Sequence, residues 1–340
     1  MAHNLTYANG KYEFAYAGES PWHGLGQRLP NVATKEDIMR AAGLEWTVLG
    51  EPLYLAGGAA VPGFVANVRS DTREVLGVVS TDYRIVQNGD AFGFVEKLAN
   101  TAGAKYHTAG SIRRGRQVFA TAKLPQSMTV VPTDVVEQYL LLVNAHDGSL
   151  GFHLRWTSIR VVCNNTLTAA LHGKGDYQYT VRHVGDLDAQ LAEAAKALGM
   201  ATRYFEIAGQ AYRALAAAEL TAGTFETFLD GFLPVPLPSV DAPSSEAAVA
   251  ERDRIILARD RVRVLYESGS GTEIPGVRGT AWGAFNAATE WIDRVRTAKK
   301  DGDLRQNASE AAVLGVGQDL RDRAMASAMA VISPLRKATN

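Results

Sequence analysis

The stretch EQYLLLVNAHDGSLGFHLRWTSIRVVCNNTL, Glu137 to Leu167, decides how the chain folds. YLLLV (139–143) is continuously apolar, which fits a strand covered on both faces. Asp147-Gly148 is the preferred chemistry of a two-residue hairpin turn with positive φ. After it, Phe152, Leu154 and Trp156 alternate with His153, Arg155 and Thr157, so the second strand is expected to have one buried and one polar face. After Val162 the pattern changes. Cys163 ends the strand, Asn164 or Asn165 caps, and NNTLTAALHG continues as a helix.

The same logic extends outward. Thr34 caps a short helix, KEDIMRAAGL, with Asp37 as capping-box partner and Gly43 as its stop. GFVANVRSDTREVLGVVSTDYRIV reads as strand, turn (Ser70-Asp71-Thr72), strand. Asn88 opens a helix that ends near Gly103. AKYHTAGSI, RRGR and QVFATAKL form another hairpin. From Asp186 the chain turns Ala-rich and helical, interrupted by the proline-rich linker FLPVPLPSVDAPSSE. The expected fold is therefore α+β: an antiparallel, hairpin-rich sheet with flanking helices over 1–185, then a mostly helical region over 186–340 with a linker at 232–246. A sheet with one packed face leaves its other face free to bind something long. The loop ESPWHGLGQRLP is read as pinned by Trp22.

Composition narrows the function. The chain has 340 residues, 46% hydrophobic and 21% charged, with a net charge of −1. It is globular, and no apolar run suits a membrane span. One cysteine and no secretory leader fit the cytoplasm. Charge is uneven: Lys105 to Arg182 holds nine Lys/Arg against four Asp/Glu. A polyanion partner accounts for this, and so does chance clustering.

Enzymatic signatures are weak. Cys163 beside Val161 and Val162 reads as a small buried hydrophobe, because no Cys/His signature accompanies it. His146, Asp147 and His153 lie close in sequence, but Asp147 is needed in the turn and no metal motif is present. SGSGTE and LGVGQD lack the glycines of a nucleotide loop. No catalytic residue, metal or cofactor is assigned. The sharpest candidate is the hairpin tip Arg113-Arg114-Gly115-Arg116, whose guanidiniums suit phosphate. Lys105, Arg155 and Arg160 would add charge, and Tyr106 and Trp156 would offer stacking surfaces.

Seven stretches carry a resemblance: SPWHGLG (20–26), AGLEWTV (42–48), TDYRIVQNGDAF (81–92), YLLLVNAHDGS (139–149), RVVCNNTL (160–167), RYF (203–205) and TAWGAFNAATEWIDRVR (280–296). Together they resemble a family of phage- and plasmid-encoded proteins of unknown function, the domain of unknown function 932. The resemblance implies a mobile element as source and no established activity. The element order also resembles, at the level of topology alone, the core of phage single-strand annealing recombinases. Those form rings or filaments on single-stranded DNA without metal or nucleotide hydrolysis. The expected function is single-stranded nucleic-acid binding, DNA favoured, as a homo-oligomer and without a membrane. The alternatives are a non-catalytic protein-binding module, such as an inhibitor of a host factor, and an enzyme built on Cys163 and a histidine.

Overall fold

The structure is a computed structural model. It describes residues 5–18, 25–30, 33–160, 166–167, 178–183, 201–237, 245–295 and 318–338, with a few positions between 189 and 196. The fold is α+β, with antiparallel-rich sheets in the first half and helices concentrated in the second.

The large sheet is built on the two hairpins expected from the pattern. Strands β8 (Lys105–Ile112), β9 (Gln117–Val131), β10 (Asp134–Ala145) and β11 (Phe152–Arg160) are consecutive antiparallel neighbours. On the β8 edge it is extended by β3 (Phe14–Ala17) and β4 (Gln27–Leu29), which pair in parallel. On the β11 edge it is extended by β12 (Thr166–Leu167) and β13 (Gln178–Val181). A short hairpin, β1 (Tyr7–Ala8) and β2 (Lys11–Tyr12), precedes it. A separate three-stranded sheet has the order β5 (Val48–Tyr54), β6 (Ala60–Arg69), β7 (Val75–Ser80).

Caps place the first helices where local chemistry predicts. In α1 (Lys35–Ala42), Thr34 Oγ1 accepts from the Asp37 N–H, and Gly43 is left-handed at φ 69°. α2 (Asn88–Ala102) begins at Asn88, and Gly103 leaves it at φ 67°. Both pack on one face of the large sheet, joined there by α3 (Ala201–Ala216). That face supplies Ala109, Ala120, Ala122, Leu140, Leu142, Leu154 and Trp156 to a core shared with Ile38, Phe92, Val95, Phe205 and Tyr212.

The later helices are α4 (Ala222–Phe232), α5 (Glu246–Ser268), α6 (Ala281–Glu290) and α7 (Gln318–Ala338). All ten residues of α6 are buried. Trp282 of α6 donates its indole N–H to Asp134 Oδ2 at 2.7 Å, both side chains inside the protein, and so ties the helices to the sheet. Residues 234–237, at the start of the proline-rich linker, carry no regular structure.

Three expectations change. The β10–β11 connection spans His146 to Gly151 rather than two residues. Gly148 has φ 75° but Asp147 does not take a positive φ; its carboxylate accepts from the Ser149 N–H at 2.9 Å instead, in an Asx turn. This longer loop fills the gap to the small sheet: a Cβ on Gly77 would lie 2.6 Å from Asp147 Cα. Second, Thr166–Leu167, expected within a helix, pairs with Ile159 and Ser158 as a strand. The remainder of that expected helix, Cys163, Asn164, Asn165 and Trp22 lie outside the described residues. Third, the polar face of β11 is covered as well, since Arg155 and Thr157 are buried.

Candidate nucleic-acid interface

The arginine tip joins β8 to β9. Arg113, Arg114 and Arg116 are exposed, while Gly115 between them is buried. Arg113 and Arg114 both take left-handed backbone, φ 55° and 61°, followed by Gly115 at 86°. A left-handed L-residue costs about 1–2 kcal/mol, so this turn must be held by its surroundings. The Gly115 N–H donates to Thr6 Oγ1 at 2.9 Å, the Arg116 carbonyl accepts from the His146 N–H at 2.8 Å, and a Cβ on Gly115 would lie 2.7 Å from Arg69 Nη1. Arg114 also reaches Glu74 Oε1 at 3.3 Å, which sets the tip against the β6–β7 turn.

Beneath the tip lies a buried ionic anchor. Arg69 is 1% exposed. It donates to Glu13 at 2.7 and 3.2 Å and to Asp71 at 2.8 and 3.0 Å, and its guanidinium sits 4.2 Å above the Trp46 ring. The Ser111 hydroxyl donates to the same Glu13 carboxylate. Burial opposes charge on both Arg69 and Asp71, but their mutual hydrogen bonds outweigh it and hold both ionised. The anchor gathers β6, β8, the segment before β3 and the Trp46 loop under one turn.

A second group of basic residues lies on the large sheet's other face. Lys105, Lys123, Tyr139 and Thr157 occupy one cross-strand row, and Thr121, Leu141 and Arg155 the next. Lys123 is ion-paired to Glu137, which also accepts from the Tyr139 hydroxyl at 2.5 Å. Burial pushes the Glu137 carboxyl up, yet these two donors hold it below its ordinary range. The His107 ring lies 5.1 Å from that of Tyr139; burial, with Lys123 nearby, lowers its pKa.

The two groups do not form one patch. Lys105 is about 25 Å along β8 from the tip. Leu5, Phe14, Tyr16, Ile112, Phe119, Leu141 and Val143 form a small core on the same face between them. The sheet face expected to be free is thus partly roofed by the N-terminal segment.

The two expected stacking residues are core residues. Tyr106 is 4% exposed, stacked on Phe92 and donating its hydroxyl to the Phe92 carbonyl at 2.6 Å. Trp156 is equally buried, edge-on to Phe205. Both belong to the cross-strand row Tyr106, Ala122, Leu140, Trp156, which faces the helices. Arg155 lies on the opposite face but is 8% exposed, so it lacks the open surface of the tip. Arg160 closes β11 with its backbone paired to Val136; its side chain is outside the described residues.

Three of the stretches singled out in the sequence have a structural role that sequence reading missed. Tyr83 donates to the Ala145 carbonyl at 2.6 Å, and Asn144 to the Val86 carbonyl at 2.9 Å. Gln87 both donates to and accepts from the Val48 backbone. Asn88 donates to the carbonyls of Leu44 and Trp46 and shares a hydrogen bond with His146 Nε2. Asn67 donates to the His146 carbonyl at 2.7 Å. Thus TDYRIVQNGDAF, AGLEWTV and NAHDGS bolt the small sheet to the large one. His146 is completely buried, and burial lowers its pKa to about 3. Among the described residues, no group of three or more His, Cys, Asp or Glu is placed to hold a metal ion, and no helix is long and apolar enough to cross a membrane.

The family described as Domain of unknown function (DUF932) matches residues 75–313, and the chain belongs to that family. The match covers the tip, the hairpins of β8 to β11, the stretches TDYRIVQNGDAF and NAHDGS, and α6, but not AGLEWTV. No curated protein and no solved structure matches the chain.

Proposed function

We propose that this protein binds single-stranded nucleic acid, DNA in preference, through the Arg113–Arg116 tip. In the fuller form of the proposal it is encoded by a phage or plasmid and works in the host cytoplasm as a homo-oligomer without metal or nucleotide hydrolysis. Annealing of complementary strands is the narrowest version. One observation carries the reading: three exposed arginines are presented on a turn whose two left-handed arginines are braced by a buried ion cluster. The ion pair of Arg114 with Glu74 is solvent-exposed and worth at most about 1 kcal/mol, so phosphate can replace that carboxylate.

Binding of a labelled oligothymidylate across a salt series tests this. Each phosphate neutralised contributes about −0.7 to the log–log slope on single strands. Changing Arg113, Arg114 and Arg116 together to alanine should flatten the slope by about two units. An unaltered slope removes the tip from the site, and absence of binding by the unchanged protein overturns the function.

A protein-binding module is favoured by a different observation. Leu257 and Val264, 53% and 62% exposed, lie one heptad apart on α5 among charged residues. A nuclease-resistant partner whose capture is lost on Leu257→Asp would support that reading.

A further inference from the structure

The small sheet has two unlike faces. Its inner face turns Asn67, Arg69, Gly77 and Val79 toward the anchor and the 146–148 loop. Its outer face exposes Leu49 (41%), Phe64 (50%), Val75 (50%) and Val78 (54%). The register puts Leu49, Val68 and Val75 in one row, Glu51, Ala66 and Val78 in the next, and Phe64 beside Ser80 beyond; the central Val68 and Ala66 are buried, so the exposed apolar surface belongs to the flanking strands and to Phe64. The charged groups at this face form exposed ion pairs: Arg73 reaches Glu51, itself in the second row, at 2.5 Å, and Arg114 of the tip reaches Glu74 at 3.3 Å. Asp71, the other acid of the turn, is bound inward by Arg69.

Two arguments identify the occupant. The first is charge. The β6–β7 turn and the tip bring Arg73, Arg113, Arg114 and Arg116 to one end of an apolar, partly aromatic face. The Arg73–Glu51 and Arg114–Glu74 pairs there are surface pairs that contribute little. The second is size. The three strands run side by side over Phe64–Val68, about 17 Å of β6, and are about 14 Å across, giving a face of roughly 240 Å². A stable interface between two copies needs about 800 Å² from each. A small apolar face with cations at one end suits one or two stacking bases better than a second protein.

We propose that the outer face of the small sheet is the base-stacking platform of the nucleic-acid site. Phe64 stacks on a base, and Arg73 and the tip arginines hold the phosphates. The platform rests on the nucleic-acid reading above and supplies the stacking surface that the buried Tyr106 and Trp156 cannot.

The test uses the full chain and a labelled oligothymidylate. Phe64→Ala should weaken binding about 5- to 150-fold, the range for loss of one stacked base, and leave the salt slope unchanged. Phe64→Trp should bind at least as tightly as the unchanged protein, with indole fluorescence quenched by the oligonucleotide. Because Phe64 is half exposed, both variants should keep the parent's circular dichroism. If Phe64→Ala binds like the parent while the tip variant loses affinity, the platform is refuted and the function survives. If the unchanged protein binds no oligonucleotide, the function fails and the platform with it. If Phe64→Ala instead turns a dimer into a monomer in sedimentation, the face belongs to a second copy and the platform is overturned.

Discussion

Replacing Arg69 by methionine should be among the most damaging single changes in this protein. Methionine keeps much of the side chain's apolar length but leaves Glu13, 2% exposed, without its cation. Four hydrogen bonds between 2.7 and 3.2 Å disappear, together with the guanidinium stacked 4.2 Å above Trp46. Removing one partner of a buried ion pair costs about 3–5 kcal/mol. Glu13→Gln should cost a similar amount, since Arg69 then keeps only Asp71, whose side chain is 29% exposed. The double variant leaves no buried charge mismatch between these two positions. Its loss should fall short of the sum of the single losses by about 1–3 kcal/mol. Urea unfolding followed by tryptophan fluorescence at neutral pH measures all three. Losses below about 1 kcal/mol for the single variants, or strict additivity in the double, would refute the anchor. The same cycle bears on function, because Gly115 rests on Arg69: Arg69→Met should also weaken oligonucleotide binding without any tip arginine being changed.

Gly115→Ala combines a positive φ with a Cβ 2.7 Å from Arg69 Nη1 and should destabilise by about 1–3 kcal/mol. Gly57→Ala, with open space around it, should change stability by less than about 0.5 kcal/mol in the same urea titration. His146 has a folded pKa near 3 against an ordinary 6.5, so the unfolded chain takes up the proton first. Its contribution is complete above about pH 6.5 and is lost toward pH 3 at about 1.4 kcal/mol per unit. His107, His153 and His183 are lowered by burial in the same sense, so the His146 share is read from the difference in pH slope between the parent and His146→Gln. Trp282→Phe removes the indole donor to Asp134 and should cost about 1–3 kcal/mol, seen as a lower urea midpoint.

Local chemistry was legible in the sequence. The Thr34 cap, the Gly43 and Gly103 stops, the start of α2 at Asn88 and the β8–β9 turn each depend on a few adjacent residues, and each stands where it was expected. Alternation showed which residues share a face, but not which face the helices cover. Tyr106 and Trp156 therefore read as available rings, although both sit in the row against α2 and α3. The Asp147-Gly148 pair has ideal turn chemistry, yet the loop is lengthened by its contact with Gly77 from a distant strand. β5 escaped notice because Gly50 and Pro52 break its period, and only pairing with β6 makes it a strand. The Arg69–Glu13 anchor spans 56 residues, and no local signal marks it. The arginine tip was readable as a cationic turn, but its left-handed backbone and its neighbour Glu74 were not. The platform was missed because an exposed Phe64 in a strand resembles any other half-buried strand residue until its partners are known.

The central claim is that the tip arginines grip phosphate. Oligothymidylate affinity measured from low to moderate salt, for the unchanged protein and for the Arg113, Arg114, Arg116 triple alanine variant, tests it most directly. The account predicts a steep negative slope for the first and a slope shallower by about two units for the second, with the fold intact. Equal slopes for the two proteins, or no binding by the first, would contradict it.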